Sequence, residues 1–168
     1  MKKLDILGSE TKIEIKILER LYPESIGSWE GDWVKADIKV EIPGYSADFF
    51  ADMRAEEFKD FRDQLNTMNQ KLEGTASLIS TENAIEAKAV MDSLGGIYWE
   101  VSTRYPISTG AVLTFEFGSD QSYLNQLVKE LDEVLAEFPV LERQNDLKSH
   151  VTDFFRKMRS SKRKKGAL

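Results

Sequence analysis

Apolar and polar residues alternate from Lys12 to Leu18, where Ile13, Ile15 and Ile17 interleave with Lys12, Glu14 and Lys16. A period of two is the mark of a strand with one wet face. It returns in Val34, Ala36, Ile38, Val40 and Ile42 against Lys35, Asp37, Lys39 and Glu41. Pro43-Gly44 then supplies a fixed φ followed by a residue free to take positive φ, so the chain reverses. Tyr45, Ala47, Phe49, Ala51 and Met53 resume the alternation, which predicts an antiparallel hairpin. Residues 55–72 switch to helical spacing, with Phe58, Phe61, Leu65, Met68 and Leu72 on one face, and Gly74 is placed to end that helix.

Four more segments of strand character follow, 75–80, 84–92, 96–104 and 111–117, separated by turn residues such as Gly95-Gly96 and Ser108-Thr109-Gly110. A second helix is predicted over 120–138, with Ser119 or Asp120 as its cap, Leu124, Leu127, Leu131, Val134 and Phe138 as its apolar stripe, and Pro139 as its stop. From Glu142 onward Leu147, Val151, Phe154, Phe155 and Met158 describe another amphipathic helix, either docked or projecting. No internal repeat or low-complexity tract precedes its basic end. These elements predict an α+β fold: a twisted, mainly antiparallel sheet, in one layer or two, packed by two amphipathic helices, with a C-terminal helical extension. Residues 1–140 form the expected domain and 141–168 the appended helix with a frayed basic tail.

The 168 residues suffice for one sizeable core, and 41% hydrophobic content with 17 aromatics can fill it. Charge is more telling. Arg156, Lys157, Arg159, Lys162, Arg163, Lys164 and Lys165 account for seven of the 23 basic residues. That leaves 16 against 29 acids before Arg156, a formal charge of −13. An acidic body repels nucleic acid and anionic membrane and attracts basic partners. Asp5, Ser9, Glu10 and Lys12 interrupt any leader-like apolar run after Met1-Lys2-Lys3, and no stretch is long enough to span a bilayer. A cytoplasmic protein is expected.

Candidate chemistry is sparse. The absence of Cys and the single His150 remove thiolate and two-histidine metal sites, and no phosphate-cradling glycine loop or nucleophile elbow is present. No cofactor is expected. The carboxylate pairs Asp48/Asp52 and Glu86/Glu100 could share a proton in a hydrolase, but the simpler reading is solvated strand-face charge. His150 reads as a surface residue. In Tyr22-Pro23…Trp29-Glu30-Gly31-Asp32-Trp33, aromatics and acids on a loop could anchor a partner. The preferred reading is that Trp33 plugs the sheet end while Asp32 binds backbone amides. The basic tail could contact nucleic acid or an anionic membrane, or fold back on the acidic body.

Taken in order, Tyr22-Pro23, Trp29-x-x-Asp32-Trp33 opening a strand, the Phe-rich helix near Phe58, the Gly95-Gly96 strand pair, and Phe115-x-Phe117-x-x-Asp120-Gln121-Ser122-Tyr123-Leu124 before a helix ending Phe138-Pro139-Val140 resemble the WapI family of immunity proteins. The likeness covers residues 10 to 140; where the family often has Asp after the first Trp, this chain has Glu30. The resemblance implies a bacterial immunity protein, not an enzyme. It would neutralise the C-terminal domain of a contact-dependent or polymorphic toxin encoded beside it, commonly a nuclease such as a tRNase, by covering its active site or substrate groove. A nuclease is basic, so an inhibitor needs only a complementary acidic surface. Strand alternation points Asp37, Glu41, Asp48, Asp52, Glu86, Glu100 and Glu116 away from the core, and these are the expected partner contacts. The rival reading is a non-enzymatic adaptor that binds nucleic acid or anionic membrane through residues 147–165.

Overall fold

In the computed structural model, which describes residues 1–141, two four-strand units follow one another and each ends in a helix. β1 (Lys2–Leu7), β2 (Lys12–Arg20), β3 (Trp33–Ile42) and β4 (Tyr45–Arg54) form an antiparallel meander that runs into α1 (Ala55–Lys71). β5 (Gly74–Ile79), β6 (Ile85–Met91), β7 (Gly96–Tyr105) and β8 (Ala111–Asp120) form the second, followed by a 3-10 turn at Gln121–Tyr123 and α2 (Leu124–Glu137). Strand order is 1-2-3-4 in one sheet and 5-6-7-8 in the other. The sheet expected in one layer or two is thus two separate sheets. The architecture repeats although the residues do not.

β1 lies outside the strands read from the sequence. Its alternation comprises only Leu4 and Ile6 on the inner side, too short a signal to separate from chance, yet both are completely buried and pair through Leu4↔Ile15 and Ile6↔Ile13. Elsewhere the predicted apolar positions fill the interior. Ile13, Ile15, Ile17, Val34, Ala36, Ile38 and Val40 from the first sheet join Leu78, Ile85, Ala87, Ala89 and Trp99 from the second in one continuous core with Phe58, Phe61, Leu65, Leu127, Leu131 and Val134 of the helices. Trp99 is fixed there by edge-on Phe61, by Phe117 stacked at 5.9 Å, and by donation from its indole nitrogen to Ser119 Oγ at 2.8 Å.

Each helix also seals the edge of the opposite unit's sheet. The outward amide of Asp5 on β1 donates to Glu130 of α2 at 2.8 Å, and that of Ser77 on β5 donates to Gln64 of α1 at 3.0 Å. An uncovered edge presents a row of unpaired amides and carbonyls that recruits other strands, so these side chains protect β1 and β5. The two helices run antiparallel against each other, tied by Arg62–Asp132 at 2.7 Å and Asn69–Asn125 at 2.9 Å. At the end of α1 the left-handed residue is Leu72 (φ 54°), while Gly74 (φ 114°) turns the chain into β5. Asp120 caps as expected, accepting from Ser122 N at 2.7 Å.

Candidate protein-binding surfaces

The polar face of the first sheet is a lattice of opposite charges set by strand register. Asp48 stands opposite Lys39, itself opposite Glu14, and Asp52 stands opposite Lys35. Lys39 Nζ lies 3.2 Å from Asp48, and Lys35 Nζ sits 5.2 Å from the centre of the Phe50 ring. Glu14 is the hub: Lys16, Lys3 and Lys12 approach it at 2.8, 3.0 and 3.1 Å. Hydrogen bonds from these ammonium groups, Lys16 foremost, hold the Glu14 carboxyl at about 2. Four of the seven nominated acids, Asp37, Glu41, Asp48 and Asp52, lie on this face, half-buried or exposed, among lysines.

The other three, Glu86, Glu100 and Glu116, lie on the polar face of the second sheet. Two sheets thus divide the seven acids, four on the first and three on the second. On the second sheet Glu100 is the direct cross-strand partner of Glu116 on one side and of Lys88 on the other; Lys88 makes its close ion pair with Glu86, and neither Glu100 nor Glu116 is in ion-pair contact among the described residues. Like charges directly opposite destabilise a strand pair. Glu86 is paired with Lys88 at 2.7 Å. A hydrogen bond to the Glu116 carboxylate pushes the exposed Tyr98 phenol up to about 12. Around these acids the face carries the short side chains of Thr75, Ser77, Ser102 and Thr114 and exposes Val90 and Tyr98.

Between the sheets the segment 22–33 serves two purposes. Asp32, 2% exposed, accepts from Glu56 N at the start of α1 (3.0 Å) and from Leu141 N (3.3 Å), and Trp33 is buried at the head of β3, as the sequence indicated. Gly31 permits this: a Cβ there would come within 2.3 Å of Ser25 O. Trp29 and Tyr22, by contrast, are more than half exposed, and Trp29 meets Trp33 edge-on. They line a groove of about 280 Å³ with Leu21, Trp33 and three carboxylates, Glu30, Asp52 and Glu82. Glu82 also borders an adjoining polar basin formed with Glu86, Ser102 and Arg104. Sequence reasoning nominated Asp52 but missed its meeting with Glu82, which depends on how the two sheets are set together.

The proposed carboxylate pairs are set apart by the strands that carry them. Asp48 and Asp52 are separated along β4 by the exposed Phe50, and Glu86 and Glu100 sit diagonally on adjacent strands, the former engaged by Lys88. Among the described residues no group of three His, Cys, Asp or Glu is placed to hold a metal ion, and no helix is long and apolar enough to cross a membrane. His150, the helix expected from Glu142, and the basic residues after it lie outside the described residues.

The described chain is thus a two-sheet α+β protein whose outer faces are polar and carry exposed aromatic rings. The particular assignment follows from the sequence: residues 5–139 match the immunity protein WapI-like family, and the chain belongs to it. No curated protein matches it. Among solved structures it is similar to one described as trypanosoma bruciei MRP1/MRP2, with 10% identity over 80% of this chain and 84% of that chain and a TM-score of 0.45. It is also similar to the plant transcriptional regulator PBF-2, with 8% identity over 90% and 86% and a TM-score of 0.47.

Proposed function

We propose that this immunity protein binds a cognate polymorphic or contact-dependent toxin domain in the cytoplasm and neutralises it by covering its active site or substrate groove. A nuclease is the toxin class that best suits the surface, because an enzyme that grips phosphates must present cations. The observation that carries this reading is the Glu100–Glu116 pair, two like charges held face to face on an exposed strand pair with no cation between them. Such an arrangement costs stability when the protein is alone and is relieved when a partner's Arg or Lys enters. Glu86 extends the contact on the same sheet; Asp37, Glu41, Asp48 and Asp52 offer a second, more screened face. Inhibition by occlusion requires no catalytic group and no cofactor, and residues 1–140 suffice as the binding domain.

The test uses the product of the neighbouring toxin gene. Charge reversal of Glu100 and Glu116 to Lys is expected to weaken the complex by roughly 100-fold or more at low salt. It is also expected to remove most of the salt dependence of the wild-type association rate. Unchanged affinity and salt dependence would overturn this assignment of the surface. If no complex forms with the wild-type chain, the toxin reading itself fails.

A further inference from the structure

The groove at Trp29 is both aromatic and acidic. Its lining carries Glu30, Asp52 and Glu82 and no Lys or Arg, and none of the three acids takes part in an ion pair among the described residues. Trp29 is the exposed tryptophan of the three, with Trp33 and Trp99 nearly buried. An exposed indole face ringed by carboxylates favours a guanidinium or ammonium group, through cation–π attraction and charge-assisted hydrogen bonds. A cavity of about 280 Å³ has room for such a side chain but not for a helix.

The described chain also ends at this place. Leu141 is held by its amide to Asp32, and its side chain lies so close to Gly31 that a Cβ there would be 3.1 Å from Leu141 Cδ1. Gly31 and Asp32 are the residues between Glu30 and Trp33 in the groove wall. Seven cations begin at Arg156, fifteen residues further on. That distance spans about 22 Å as a helix and about 50 Å fully extended, so in either form it reaches a groove beside Leu141. A ligand tethered at this range is present at an effective concentration of the order of millimolar.

We propose that the groove lined by Trp29, Glu30, Asp52 and Glu82 is the docking site of the chain's own basic segment 156–165. An arginine of that segment sits over the Trp29 indole and the neighbouring cations face the three carboxylates. The segment thereby keeps an aromatic, acidic surface covered until a basic partner with more contacts displaces it. Docking does not depend on the toxin assignment, and the measurement below involves no toxin, so failure of one leaves the other standing.

The chain has no cysteine, so Ser160→Cys in the full chain gives a single thiol for a nitroxide label. Paramagnetic broadening of backbone amides and of the Trp29 indole is compared before and after the label is reduced. The expected result is that signals of Tyr22, Trp29, Glu30, Asp52 and Glu82 lose roughly half or more of their height. High salt restores them, because screening shortens the reach of the charges. The double substitution Asp52→Asn and Glu82→Gln, near-isosteric and at side chains outside every ion pair among the described residues, also restores them. Three results would overturn the proposal: no broadening at the groove, broadening centred on another surface such as Glu100 and Glu116, or broadening that persists undiminished when labelled chains are mixed with separate isotope-enriched ones, which would place the segment in a second copy.

Discussion

Glu57 on α1 accepts two hydrogen bonds from Thr81 of the turn after β5, from its amide at 2.8 Å and its hydroxyl at 2.7 Å. Its other oxygen accepts from Arg54 N at the end of β4, at 3.1 Å. One carboxyl thus starts the helix of the first unit and fastens it to the second sheet. Removing it leaves three donors short of an acceptor, so Glu57→Ala is expected to lose about 2 kcal/mol in urea unfolding. Thr81→Ala, which spares the amide bond and the helix start, is expected to lose about 0.5–1 kcal/mol.

The pH dependence has two opposing contributions. Lys16, Lys3 and Lys12 hold Glu14 at about 2 against the usual 4.5. The folded chain therefore binds this proton more weakly than the unfolded one, and the resulting stability is complete above pH 4.5 and lost as pH falls towards 2. Burial lifts Glu57 above its usual range, so its contribution has the opposite sign: present at low pH and lost as pH rises through the raised value. Glu14→Gln is expected to cost about 1 kcal/mol at neutral pH, the upper range for an ion-pair network whose lysines are open to solvent, and to flatten the acid limb of a stability profile.

Relieving the repulsion between Glu100 and Glu116 separates stability from binding. Glu116→Gln is expected to raise the unfolding free energy by about 0.2–1 kcal/mol while weakening association with the toxin domain. The same substitution lets the Tyr98 phenol fall from about 12 towards its ordinary 10, which an ultraviolet titration of the folded protein measures directly. A variant that gained stability without losing affinity would place the contact elsewhere.

Asp32 serves the helix and the end of the described chain together. Asp32→Ala is expected to cost about 2 kcal/mol, since Glu56 N loses its acceptor inside the protein, and to free the Leu141 amide for hydrogen exchange. Gly31→Ala drives a methyl group into Ser25 O and is expected to cost about 1–3 kcal/mol. Because the 22–33 loop must shift to accept it, the Trp29 emission spectrum should move as well.

Much of this was legible from periodicity. Ile13, Ile15, Ile17, Val34, Ala36 and Ile38 alternate so regularly that both strand and inward face follow, and the helical stripes of Phe58 and Leu131 identify what covers them. Asp32 and Trp33 were readable too, because an acid and a large ring before a strand have few uses other than those observed. Three features were not. β1 has only Leu4 and Ile6 to announce it. The break into two sheets falls at α1, where strand signals continue on the far side with no mark that pairing does not. The groove joins Asp52 to Glu82 across that break, and no local pattern encodes a meeting between positions on different sheets.

The crossed sealing of the edges sets a schedule for synthesis. The amide of Asp5 emerges from the ribosome more than a hundred residues before Glu130, which covers it. At ordinary elongation rates β1 waits on the order of ten seconds for α2. Until then the first unit carries an open edge, so the sealed fold exists only when both halves have been translated and have exchanged helices.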